Sequence, residues 1–120
     1  MSFEISTTGQ FSAAHQLELY DGSREQVHGH NWRVRVTVAG QELDRIGVVM
    51  DFHALSRRLK AIVAPWQDRN LNDMPAFTQT NPSAENIALV IARALRLPEG
   101  VSLCSVEVWE TSEDRAVYRP

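Results

Sequence analysis

Disulfides are the first thing this chain lacks. Its 120 residues contain one cysteine, Cys104, so no intramolecular pair can form. That fits a reducing compartment and speaks against a small secreted domain built on cross-links. Long apolar runs are missing too: no stretch approaches the roughly 18 apolar residues that a membrane-spanning helix needs. The N-terminal MSFEISTTGQF has no basic segment followed by an apolar core, so it does not read as a secretory signal. Basic runs are also absent. The arginines are scattered and the formal net charge is −3, which disfavours a nucleic-acid or membrane-surface partner recruited by bulk charge. What remains is 43% hydrophobic residues, enough for a modest core in one domain over residues 1–120. The expectation is a cytoplasmic, single-domain protein.

Phe3 and Ile5 alternate with polar neighbours, and Phe11, Ala13 and His15 continue the odd positions, which reads as a strand bent at Gly9. Tyr20-Asp21-Gly22-Ser23 signals a turn. Trp32, Val34, Val36 and Val38 share one parity and Arg33, Arg35 and Thr37 the other, the pattern of a half-buried strand. Asp51 reads as a helix cap, and Phe52, Leu55, Leu59, Ile62 and Val63 recur at helical spacing until Pro65. Residues 66–80 read as a long loop, a length often put to functional use. A second helix begins near Asn81-Pro82, with Asn81 as cap, Pro82 in the first turn and apolar residues at Ile87, Val90, Ile91, Ala94 and Leu95. Residues 103–109 form a third strand, and Ala116, Val117 and Tyr118 a short fourth. The order β-β-α-α-β-β implies an α+β domain: a four-stranded antiparallel sheet with two helices on one face.

His15, His28 and His30 stand out against this frame. A lone histidine is more often a surface or core residue than a ligand. Here His28 and His30 share a face with the valines, and His15 ends the preceding strand. Across an antiparallel pair, side chains on one face come within about 5 Å. Three neutral imidazoles at that range suit a tetrahedral Zn²⁺ with one open position, the position a catalytic metal needs. The spacing alone leaves both readings open, a metal site or a polar strand start. The fourth histidine, His53, falls in the first turn of the first helix and reads as an exposed helix residue.

FSAAHQL, VHGHNW, VVMDFHAL, LND, NPSAENIA and VWET occur in this order across residues 11–111. In that ordered set the chain resembles the 6-pyruvoyl-tetrahydropterin synthase family, which includes the bacterial 6-carboxy-tetrahydropterin synthases of queuosine precursor synthesis. The resemblance implies the tunnelling fold, in which subunits join sheets edge to edge. It also implies a homohexamer of two trimeric rings, with sites between subunits. His15, His28 and His30 match the family's zinc ligands. Glu110 in VWET matches the glutamate that anchors the pterin, whose amino group and adjacent N–H a carboxylate can accept together; without the resemblance it would read as a solvated carboxylate. Ser83 falls where members place a small hydroxyl residue near the pterin. The implied substrate is 7,8-dihydroneopterin triphosphate, whose side-chain hydroxyls zinc would bind and acidify while a protein base moves protons.

The chain departs from the family pattern in its proton relay. Members of the carboxy-tetrahydropterin branch carry a cysteine four residues before the first histidine of HGH; that position is Arg24, a guanidinium that cannot serve as a base. Cys104 lies in the third strand, where packing is its expected role. The Asp-His pair of the family's L-D-H-x-x-L-N segment corresponds, when aligned on Leu71-Asn72, to Gln67 and Asp68. Some members place a glutamate near the missing cysteine and cleave the same substrate to 6-hydroxymethyl-7,8-dihydropterin, a folate precursor. Glu25 has their glutamate-x-x-His-Gly-His spacing. Glu25, with Asp68, is therefore the candidate replacement base, against the plainer reading of a solvated loop glutamate. Three functions stay open: a zinc-dependent pterin lyase with a variant relay, a catalytically inactive pterin- or metal-binding paralogue, or a structural oligomer that uses the fold only for assembly.

Overall fold

The computed structural model describes residues 2–120. Strands β1 (Phe3–His15) and β2 (His28–Gly40) form a long hairpin, followed by helix α1 (Phe52–Val63), a short strand β3 (Arg69–Asn70), helix α2 (Ala84–Ala94), and strands β4 (Val101–Trp109) and β5 (Arg115–Tyr118). The sheet runs β3-β1-β2-β4-β5. The α+β class agrees with the expectation, but the four-stranded antiparallel sheet does not. The described residues form five strands, and the sheet is mixed because β3 pairs in parallel with Ala13 and Ala14 of β1. This strand comes from the segment expected to be loop. The Asp68 N–H donates to the Ser12 carbonyl at 2.7 Å, which lays Arg69 and Asn70 along the β1 edge.

One face of the sheet makes the core. Val34 pairs with Val108 and Val36 with Val106 across β2 and β4, and all four are buried. Phe11, Trp32, Leu55, Leu59, Ile87 and Ile91 complete it, so both helices seal this face. Gly9 pairs with Val34 inside a continuous ladder. A Cβ there would lie 3.2 Å from Leu59 Cδ2, so the missing side chain lets α1 approach the sheet.

Asp51 caps α1 as expected, accepting from the His53 N–H at 2.9 Å. The cap of α2 is Ser83, not Asn81: Ser83 Oγ accepts from the Asn86 N–H at 3.1 Å. The Asn81 amide is engaged elsewhere, accepting from the Glu18 N–H at 2.8 Å and donating to the Glu18 carbonyl at 3.0 Å. That clamp ties the start of α2 to the segment just past β1.

The opposite face carries no helix. There Trp109 lies under three guanidinium groups, those of Arg33, Arg35 and Arg115, at 4.8, 5.3 and 5.6 Å from its ring centre. Glu107, only 7% exposed, pairs with Arg115 at 2.8 Å and Arg35 at 3.5 Å. Opposite charges thus satisfy the one buried carboxylate on this face. No helix of the described residues is long and apolar enough to cross a membrane.

Candidate metal centre

The hairpin register builds the centre. His15 pairs directly with His28 and Ala13 with His30, so the three imidazoles share the helix-covered face. Trp32 is the next residue on that face. Its ring lies 4.9 Å from the His15 ring and 5.2 Å from the His30 ring, and its indole N–H donates to the Ala13 carbonyl at 3.1 Å. A fully buried tryptophan therefore floors the site and excludes water from that side.

Two of the rings are oriented by backbone carbonyls. His15 Nδ1 donates to the Pro82 carbonyl and His28 Nδ1 to the Gln26 carbonyl, each at 2.8 Å. A carbonyl only accepts, so in the neutral rings the proton sits on Nδ1 and the lone pair on Nε2. Yet the two Nε2 atoms stand 3.1 Å apart. Two lone pairs at that distance repel, and a cation between them would turn the repulsion into ligation. His30 Nε2 is buried and without a hydrogen-bond partner, so a third donor nitrogen waits at the same point. Outer hydrogen bonds that fix the tautomer of each ligand are the usual support of a metal-binding histidine. The donor set fits a divalent ion such as zinc.

The carboxylate of Glu110 joins them. Its Oε1 lies 2.9 Å from His30 Nε2, out of hydrogen-bond alignment, and 3.3 Å from His15 Nε2. The four donor atoms lie within 4.8 Å of one another. Burial, the dominant effect, holds the His30 imidazole below its ordinary pKa; Glu110 opposes this, while His15 and His28 reinforce it. The neutral form, which is the ligating form, is favoured.

The other sequence candidates sit around this group and outside it. Glu25 is half-buried and clasps the loop: its carboxylate accepts from the Leu17 N–H at 3.0 Å and its own N–H donates to the Leu17 carbonyl at 2.9 Å. Asp68 adopts a left-handed backbone, φ 60°, unusual for a residue other than glycine. Its carboxylate accepts from Gln67 Nε2 at 3.0 Å. It lines a cleft of ≈ 520 Å³ together with Ser12, Gly29, His30 and Arg69. The hydroxyl oxygen of Ser83 is occupied as the α2 cap, next to the Pro82 carbonyl that orients His15. Arg24 lines a separate cleft with Glu18 and Asn72. His53 is exposed on α1, as expected. No residue pattern signals the two orienting carbonyls, because a backbone oxygen has no residue signature. Nor does any pattern signal that Glu110 reaches the imidazoles themselves.

Comparison with known proteins gives the chain a family. The model of the family described as 6-pyruvoyl tetrahydropterin synthase matches residues 4–120. The chain is 35% identical over 115 residues to a dihydroneopterin monophosphate aldolase of Pyrococcus furiosus, covering 94% of each. It is 38% identical over 113 residues to a 6-carboxy-5,6,7,8-tetrahydropterin synthase of Synechocystis, covering 90% of this chain and 86% of that one. The solved 6-pyruvoyl tetrahydropterin synthase of Caenorhabditis elegans superposes over all of this chain and 96% of its own, with a TM-score of 0.85 at 23% identity, a likeness of fold. With its three-histidine centre on one hairpin and a match over nearly its whole length, the chain belongs to the 6-pyruvoyl tetrahydropterin synthase family.

Proposed function

We propose that this protein is a zinc-dependent pterin lyase that cleaves the side chain of 7,8-dihydroneopterin triphosphate, with 6-hydroxymethyl-7,8-dihydropterin as product. The observation that carries the reading is the convergence of three imidazole nitrogens beside a carboxylate. A bound zinc would act there as a Lewis acid toward the side-chain hydroxyls. Glu110, one third exposed in its side chain, accepts hydrogen bonds from the pterin amino group and ring N–H. Ser83 keeps a hydroxyl proton free to donate toward the ring. Glu25 and Asp68 are the bases offered in place of the family's relay. Loss of the proton from the second side-chain hydroxyl breaks the bond between the first and second side-chain carbons. The second carbon leaves as a phosphorylated glycolaldehyde, and the electron pair on the first takes up a proton to give the hydroxymethyl group. The name of the Pyrococcus relative, an aldolase of the monophosphate, supports a cleavage of this type and makes the monophosphate a second substrate to try. We place the protein in the cytoplasm as a homohexamer.

A second reading, a pterin- or metal-binding paralogue without turnover, is favoured by one observation: the Glu25 carboxylate already holds the Leu17 N–H. Incubation of zinc-loaded protein with the triphosphate and the monophosphate, with products identified by mass spectrometry, separates the two. Hydroxymethyl-dihydropterin supports the lyase. Intact substrate in the presence of bound zinc supports the paralogue, and 6-carboxytetrahydropterin with acetaldehyde would move the protein to the queuosine branch. If Glu25→Gln turned over at the unaltered rate, Glu25 would not be the base.

A further inference from the structure

The carboxylate of Glu110 stands where the open position of the metal should be. Donor atoms about 2.0–2.1 Å from a tetrahedral zinc are separated from one another by about 3.3 Å. Glu110 Oε1 lies 3.3 Å from His15 Nε2 and 2.9 Å from His30 Nε2, and the two paired imidazole nitrogens are 3.1 Å apart. Glu110 thus lies about one tetrahedron edge from two of the three ligand nitrogens, and all four donor atoms lie within 4.8 Å of one another. We infer that, without pterin, the Glu110 carboxylate is a fourth protein ligand of the metal held by His15, His28 and His30. Binding of the pterin ring then draws this carboxylate away and opens the position that the reaction needs.

This deepens the proposed function and rests on its metal reading. A site closed by four protein ligands is the structural form of a zinc centre, and one with three is the catalytic form. One residue that can be ligand or pterin anchor, but not both through the same oxygen, would switch between the two forms. The backbone is built for a swing of the side chain alone. The Glu110 N–H donates to the Asp114 carbonyl at 3.1 Å, and within the turn Thr111 Oγ1 accepts from the Glu113 and Asp114 N–H groups. On the other face the preceding residue, Trp109, is gripped by Arg33, Arg35 and Arg115. The carboxylate itself is partly exposed and free to turn toward a ligand. Departure of the Glu110 charge would leave a bound ion with three neutral rings as its protein ligands, which would make it a stronger Lewis acid only once the ring is seated.

The test replaces the native ion with Co²⁺, whose visible spectrum reports its ligands, and uses plain pterin, which has the ring donors but no side-chain hydroxyls. Glu110→Gln should change the cobalt spectrum in the absence of pterin and weaken zinc binding by roughly tenfold or more, at least the loss that follows removal of an outer-shell partner. Pterin added to the unsubstituted protein should move its spectrum toward that of the variant. Superimposable spectra and equal zinc affinities for the two proteins would overturn the inference. If Glu110→Gln does not fold, the titration of the unsubstituted cobalt protein with pterin decides alone, and no spectral change would reject the exchange. A protein that passes this test yet leaves both dihydroneopterin phosphates intact refutes the lyase activity and not the ligand exchange.

Discussion

His15 does two things with one ring: Nδ1 holds the Pro82 carbonyl and Nε2 faces the other donors. It is also 1% exposed, whereas His28 is only half-buried. His15→Ala should therefore cost metal-free protein about 2–4 kcal/mol, from the cavity and the orphaned carbonyl. His28→Ala should cost less than about 1 kcal/mol, while both abolish zinc binding. Urea unfolding with chelator present, and metal content by mass spectrometry, check the pair. Acid should weaken the metal-free fold through His30. Its folded-state pKa lies below the ordinary value of 6.5, so the unfolded chain binds more protons in that window. The stabilisation is complete above 6.5 and is lost as pH falls toward the folded value. The urea midpoint should therefore drop between about pH 7.5 and pH 5, and His30→Asn should flatten the drop. At Cys104, burial first and then Glu4 push the thiol up, so it should alkylate slowly at neutral pH. The imidazole triad was legible because strand parity and family spacing both encode it. The reach of Glu110 was not, since it lies beyond the end of β4 in a turn whose course only the folded sheet defines.

At the scale of elements, the helices and long strands were legible where a period repeats several times. The hairpin, both helices, β4 and β5 lie close to where periodicity placed them. β3 was hidden because two residues cannot show a period; its existence depends on the Ser12 carbonyl and on the edge of β1. The α2 cap was misplaced for a related reason. Asn81 and Ser83 are both good caps, and only the distant Glu18 backbone decides that Asn81 is already engaged. Ser83→Ala should thus lower stability by about 1 kcal/mol even without pterin, with the loss read from urea unfolding. Gly9→Ala tests the seating of α1 on β1. With Leu59 Cδ2 only 3.2 Å from the new methyl, we expect a loss of about 1–2 kcal/mol by the same assay, from overpacking a full core.

As a whole molecule the protein is elongated, 54 × 27 × 25 Å. Among the described residues, β3 covers β1 only at Ala13 and Ala14 and the Asp68 N–H holds the Ser12 carbonyl, so residues 3–11 present an unpaired strand edge, as does the outer side of β5. Long bare edges invite pairing with another chain, which supports the proposed ring assembly. Light scattering during gel filtration should return the mass of six chains. Zinc should raise the melting temperature of stripped protein in proportion to the logarithm of its concentration, and His28→Ala should remove the effect. The position of the imidazoles gives this stabilisation a particular source. His15 and His28 form the last rung of the hairpin before its loop, 13 positions apart in the chain. The folded hairpin already holds this loop closed, so the ion binds there without the closure entropy that the unfolded chain would have to lose to hold it through both rings. In a protein with one cysteine, that coordinate cross-link would fasten the open end of the folded hairpin, and a chelator could release it.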